Sequence, residues 1–254
     1  MNAIEIKDLA IGYRGKAILS DLSLALQTGK VTAMIGRNGV GKSTLIKTMT
    51  GHLAPISGEV RVEGGLLSRL GRKDLAKKIA EVTTERNMAG GLRLEELVGL
   101  GRTPHTGFLG RMTPRDRLAV EEAMMAVGIH ALRHRFVSEL SDGERQKGMI
   151  ARGLVQETPI IIMDEPFSFL DVGSRIELLH TTVSLAHEMG KAILFSTHEV
   201  ADALRLCDRI WLFSGDGITD GTPGELMESE ALGGMFADKN VVFDKEKGDF
   251  VKKI

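Results

Sequence analysis

The sequence predicts an α/β fold with a largely parallel sheet, and three observations carry that prediction. Unbroken apolar runs recur: "KVTAMIG" (30–36), "PIIIMDEP" (159–166) and "KAILFSTHE" (191–199). Strands of that texture are buried on both faces. Segments of helical spacing stand between them, and such alternation implies parallel strands joined by crossover helices. Acids and glycines gather where the runs end, the edge at which α/β sheets bind ligands.

Each element follows from its local pattern. "AIEIKDLAIGY" and "LSLALQ" read as strands, the second by alternation, before the buried strand "KVTAMIG". "KSTLIKTMTG" has helical spacing and stops at Gly51. "GEVRVEG" is a short strand, and "LAKKIAEVTT" a helix end followed by a strand. From about 86 to 157 the spacing is helical throughout ("RLEELVGLG", "PRDRLAVEEAMMAVG", "DGERQKGMIARGLVQE"), which predicts a helical insert. "VGSRIELLHTTVSLAHEMG" is a helix with Ile176, Leu179, Val183 and Ala186 expected on its inner face. "DRIWLF" and "GITDGTP" complete the alternation, and about 220–254 is expected to be an appended element.

A chain of 254 residues with 43% hydrophobic content supports one large domain or two small ones. Lys and Arg number 33 against 34 Asp and Glu, so nothing favours nucleic acid or an anionic membrane. The arginines between Arg102 and Arg135 are interspersed with acids and read as a solvated face. The one cysteine, Cys207, reads as a small buried residue in a reducing compartment. The N-terminus lacks a signal-peptide pattern, and no segment reaches the roughly 18–20 apolar residues of a membrane span. The expectation is a soluble chain whose membrane role, if any, comes through a partner.

The chemistry starts at "IGRNGVGKSTL" (35–45). A strand, then G-x-x-x-x-G-K-[ST], then a helix, is the phosphate-binding loop pattern. Gly36, Gly39 and Gly41 let backbone N–H groups of Gly36, Arg37, Asn38, Gly39, Val40 and Gly41 turn sharply onto phosphate oxygens. The helix from Lys42 through Ser43 and Thr44 adds its N-terminal dipole. Lys42 supplies a charge for the β and γ phosphates, and Ser43 a hydroxyl for Mg²⁺. "IIIMDE" puts Asp164 at a strand end for the metal, with Glu165 next to orient or deprotonate a water. His198, past another buried strand, reaches a γ-phosphate or that water. His105, His134 and His187 have no ligand spacing and read as surface or packing residues.

"LSDGERQK" (140–147) alone reads as a helix cap, Ser141 or Asp142 preceding the helix and Glu144 completing a capping box. With the loop and "IIIMDEP" it resembles the signature motif of ATP-binding-cassette (ABC) ATPases. "SFLD" (168–171), ending in Asp171, resembles that family's D-loop, and "STHE" its switch histidine. Tyr13, 23 positions before Gly36, stands where the family has an adenine-stacking aromatic. The resemblance implies a P-loop NTPase with a RecA-like parallel sheet, an N-terminal antiparallel β subdomain and an inserted helical subdomain. It implies a head-to-tail dimer in which Ser141, Asp142, Gly143 and Glu144 complete the opposite subunit's ATP site. It also implies ATP and Mg²⁺ as cofactors, a transmembrane permease dimer, and, indirectly, a substrate-binding protein. The place of work would be the cytoplasmic face of the cell membrane. A narrower likeness, carried by "RLEELVGLGRTPHTGFLGRMTPRDRLAVEEAM" and "GITDGTPGEL", is to ATPases importing iron-siderophore complexes, haem or vitamin B12. The competing readings are a soluble ABC ATPase acting on nucleic acid or ribosomes, and a non-hydrolytic nucleotide switch.

Three positions depart from the family's pattern. Thr84, with Glu85 next, stands where a Gln is usual, and one of them is expected to help hold Mg²⁺, through water if need be. Asp142 replaces a usual glycine, adding negative charge near phosphate. Phe169 is bulkier than its usual counterpart.

Overall fold

Strands β1 (Asn2–Tyr13) and β2 (Lys16–Gln27) form an antiparallel hairpin. Arg14 and Gly15 turn it with φ of 52° and 76°, as two-residue hairpins require. The computed structural model describes residues 1–83, 91–107, 110–214, 217–229, 231–234, 241–244 and 249–252. Along the chain follow β3 (Val31–Ile35), α1 (Lys42–Met49), β4 (Ser57–Val62), β5 (Gly65–Leu66), α2 (Arg72–Leu75) and β6 (Ile79–Val82). Then come α3 (Leu94–Gly99), α4 (Pro114–Ala126), α5 (Asp142–Leu154), β7 (Ile160–Met163), α6 (Val172–Met189) and β8 (Ala192–Thr197). Last are α7 (Val200–Leu206), β9 (Arg209–Ser214), β10 (Gly217–Gly221), α8 (Pro223–Glu228), α9 (Ala231–Gly234), β11 (Val241–Asp244) and β12 (Asp249–Lys252).

The central sheet runs β10-β9-β3-β8-β7-β6, parallel except for the edge strand β10. A second, antiparallel sheet runs β2-β1-β4-β5. Side chains alternate across the central sheet into two cores. Met34, Ile160, Ile162, Leu194, Trp211 and Phe213 pack with α1 and the antiparallel sheet. Ala33, Ile35, Ile161, Met163, Phe195 and Leu212 face the opposite way, among residues of α3 to α7. Covering both faces is why these strands read as continuous apolar runs rather than as alternation.

The helices α3, α4 and α5 lie between β6 and β7, with one isolated bridge, Arg93 to Phe136, beside them. Proline at the start and a Thr113–Asp116 capping box begin α4. Two expectations need correction. Arg102 belongs to no solvated face. It is 4% exposed, and its Nε donates to Asp116 Oδ1 (2.8 Å) and its Nη1 to Val155 O (2.8 Å) and Glu157 Oε2 (2.7 Å). A guanidinium tolerates burial only when so paired. Ile176 is 41% exposed, because the inner stripe of α6 runs through Leu178, Leu179, Thr182 and Ala186 instead.

The C-terminal end of α5 is seated without slack. A Cβ added to Gly153 would lie 2.6 Å from Val82 Cγ2, and one on Gly101 2.2 Å from the Arg152 carbonyl oxygen. Gln156 Nε2 donates to the carbonyls of Ala76 (2.5 Å) and Ile79 (3.1 Å), tying this end to the approach to β6.

Candidate functional site

Because β3, β8 and β7 are adjacent and parallel, the loops following them open at one edge of the sheet. Residues 36–41 join β3 to α1. Gly41 stands at the N-cap with φ of 107°, a conformation a side chain would strain. No side chain caps α1, so its first N–H groups and dipole are left to an incoming anion. Lys42 is only 6% exposed, and its Nζ donates to the loop's own carbonyls, Gly36 O (2.7 Å) and Arg37 O (3.1 Å). Burial lowers its pKa, opposed by the nearby charges of Glu165 and Asp164. The ammonium thus sits inside the loop, close to both carboxylates. Ser43 is exposed and Thr44 buried.

Past β7, the Asp164 amide donates to Val82 O (2.9 Å), which extends the β6 pairing by one residue. The Ser196 hydroxyl, on β8, donates to Asp164 Oδ1 (2.6 Å) and accepts the Glu165 N–H (2.8 Å). Glu165 adopts a φ of 49°, rare for a residue with a side chain. Its Oε1 lies 2.6 Å from His198 Nε2. The Ser168 hydroxyl donates to Glu165 O (3.1 Å). Beneath this turn Phe167 packs edge-to-face on Phe195, with centroids 5.2 Å apart. A half-buried carboxylate beside a histidine, next to a lysine-lined anion loop, can take a proton from a water attacking a bound phosphate.

Other expected residues fall near this edge or apart from it. Tyr13 ends β1 at 46% exposure, and Ile18 and Leu19 of the partner strand press on Gly41. At the start of α5, Ser141 is the cap rather than Asp142. Its hydroxyl accepts the Glu144 N–H (3.3 Å), while Glu144 Oε2 accepts the Ser141 N–H (2.8 Å) and hydroxyl (2.9 Å). Those bonds lower the Glu144 pKa. Asp142 is the first helical residue, and its Oδ1 accepts from Arg145 Nη2 (2.8 Å). Gly143 faces the turn that precedes α6, where a Cβ would lie 3.3 Å from Phe169 O. Asp171 caps α6 by accepting the Ser174 N–H (3.0 Å). Phe169 is 39% exposed. Thr84 and Glu85 lie outside the described residues. Sequence reasoning missed Ser196 and Ser168. The signal for Ser196 was a hydroxyl inside an apolar, doubly covered run, which must find a partner.

A profile of the family described as "ABC transporter" matches residues 19–168. The chain belongs to the ABC transporter family. An uncharacterized ABC transporter ATP-binding protein of Methanocaldococcus jannaschii is 38% identical over 98% of this chain and 87% of its own length. The iron(3+)-hydroxamate import ATP-binding protein of Bacillus subtilis is 35% identical over 96% of this chain and 91% of its own. Among solved structures, cbiO1 of Clostridium perfringens, part of an ABC transporter complex, superposes with a TM-score of 0.79. It shares 27% identity, over 91% of this chain and 92% of that one. As a member of this family the chain is an ATP-binding subunit and an ATPase.

The ABC ATPase site also fits Mg²⁺. Among the described residues no three Asp, Glu, His or Cys side chains gather into a metal-binding group. The exposed Ser43 in the first turn of α1 and Asp164 just past β7 offer a hydroxyl and a carboxylate oxygen, donors suited to an ion that keeps waters and phosphate oxygens in its shell. Ser43 and Asp164 are the residues that would hold it. Among the described residues no helix is long and apolar enough to cross a membrane.

Proposed function

We propose that this chain powers an importer for an iron-siderophore, haem or cobalamin-type cargo, working as a dimer beneath a transmembrane permease at the cytoplasmic face of the cell membrane. The cargo class is supported by the iron(3+)-hydroxamate relative and by the narrower sequence likeness. The single observation that carries hydrolysis is Glu165 Oε1 at 2.6 Å from His198 Nε2, on loops next to the Lys42 loop.

In this reading the loop N–H groups and Lys42 bind the β and γ phosphates, replacing the carbonyl contacts that Lys42 now makes. Tyr13 stacks on adenine. Ser43 and Asp164 would hold a Mg²⁺, which would supply neutralisation of the phosphate charge. Glu165 accepts a proton as a water oxygen bonds to the γ-phosphorus and the bond to the β-γ bridging oxygen breaks, releasing ADP and phosphate. His198 orients Glu165 and the γ-phosphate. Ser141 and Gly143 of a second copy close over the same γ-phosphate. A periplasmic-type binding protein delivers the cargo.

Glu165→Gln is expected to lower ATP turnover about 100-fold or more, the scale of a general base, with ATP binding retained. Unchanged turnover would overturn the role. For the cargo, the chain is captured from host membranes with a non-hydrolysable ATP analogue. Recovery of a many-helix permease supports import, and recovery of ribosomes or nucleic acid overturns it.

A further inference from the structure

Ser196 is 0% exposed. A hydroxyl in that setting costs free energy unless it is hydrogen-bonded. Both of its bonds go to two consecutive residues, the Glu165 N–H (2.8 Å) and Asp164 Oδ1 (2.6 Å). The register explains the meeting. Met163 of β7 pairs with Phe195 of β8, so Asp164 and Ser196 face each other one step further on. The bond to Asp164 is charge-assisted and short.

Glu165 holds a left-handed φ of 49°. Such backbone is strained and persists only where its surroundings over-determine it. From one side the Glu165 carbonyl accepts both the Ser168 N–H (3.3 Å) and the Ser168 hydroxyl (3.1 Å), so either can stand in for the other. On the other side the Glu165 N–H is held by Ser196 Oγ. That one oxygen therefore links the Asp164 carboxylate to the Glu165 backbone, and both to the strand that leads to His198.

We propose that Ser196 is a positioning residue for ATP hydrolysis: its hydroxyl fixes the Glu165 backbone and the Asp164 carboxylate together. This rests on the roles given above to those two acids. Ser168 is exposed, its hold on the Glu165 carbonyl is duplicated by its own amide, and its hydroxyl reaches Glu165 Oε2 only at 3.4 Å, a longer contact than either bond of Ser196.

The test compares the full chain with Ser196→Ala. The variant is expected to lose about 10- to 100-fold in kcat, the usual effect of removing a group that orients metal-site ligands. KM for ATP should move less than about twofold, and the Mg²⁺ needed for half-maximal turnover should rise. In a Glu165→Gln background the same change should cost less than it does in the parent, because Asp164 is then the one catalytically competent group left for it to position. A readout free of turnover is hydrogen exchange of the Glu165 amide in nucleotide-free protein, which Ser196→Ala should accelerate. The inference is overturned if kcat stays within about twofold while Glu165→Gln abolishes turnover, or if the Glu165 amide exchanges as in the parent. If Glu165→Gln leaves turnover unchanged, the role of Glu165 falls. Amide exchange then still decides whether Ser196 fixes that backbone. Should Ser196→Ala fail to fold, Ser196→Cys keeps the shape with a weaker hydrogen bond, and the same outcomes apply to it.

Discussion

Arg102→Met removes a buried cation while keeping an unbranched apolar stem of similar reach. Three hydrogen bonds vanish, to Asp116, Val155 O and Glu157. Their weights differ. The Glu157 side chain is 43% exposed, so water takes over and little is lost there. The Asp116 side chain is 8% exposed and is left with a charge but no cation. Breaking a buried pair this way costs about 3–5 kcal/mol. Asp116 keeps the Thr113 N–H (2.8 Å) and hydroxyl (2.6 Å) as donors, which places the loss near the low end, about 3 kcal/mol. For a chain this long each kcal/mol moves Tm by about 2–4 °C, so Tm should fall by about 6–12 °C. Calorimetry or thermal circular dichroism reads it. The double variant Arg102→Met with Asp116→Leu should recover part of the loss, since apolar replacement of a whole buried pair is near neutral while the Thr113–Asp116 cap is given up. A fall of less than about 2 °C in the single variant, or a deeper fall in the double, would refute the reasoning.

Asp116 also predicts an acid response. Its carboxyl is held down from 3.8 to about 2, first by the Thr113 hydroxyl, then by the Thr113 amide, with Arg102 adding to both. A depressed carboxyl stabilises fully above the unfolded value and loses that contribution as pH falls through the folded one. The stability gap between parent and Asp116→Asn should therefore shrink between pH 3.8 and about 2, as urea unfolding at each pH would show. Gly101→Ala sets a methyl 2.2 Å from a backbone oxygen and 2.5 Å from Val155 Cγ1, and should destabilise by about 3 kcal/mol in urea unfolding. Cys207 is 7% exposed and burial pushes its thiol pKa upward. An aromatic disulfide reagent should leave native protein unmodified and label one thiol in denaturant.

The sequence made the loop, Asp164, Glu165 and His198 visible because each ends an apolar run, and a run's end is a place in the fold. It hid Arg102, since a charge among charges looks solvated until a partner 14 residues away is folded against it. It misjudged Ile176 because 3.6-residue spacing fits more than one stripe on a helix with apolar residues on several sides. Ser196 was readable only as an unexplained hydroxyl; its partners sit 31 and 32 residues earlier, and the parallel register alone brings them together. The cap at Ser141 was half legible. Spacing to Glu144 allowed it, and the backbone of Asp142, already helical, decided between the two.

The tight seat of α5 has a mechanical consequence. Its 13 residues at about 1.5 Å each make a rod of about 20 Å, with Ser141 at one end and Gly153 and Gln156 at the other. A base packed that closely leaves little room for sliding, so a disturbance there would be felt along the helix mainly as a change of angle. A tilt of about 10° swings the tip by about 3.5 Å, many times the few tenths of an ångström over which a hydrogen bond is made or lost. The length of α5 alone would magnify a small change of angle beside β6 into a displacement of several ångströms at Ser141.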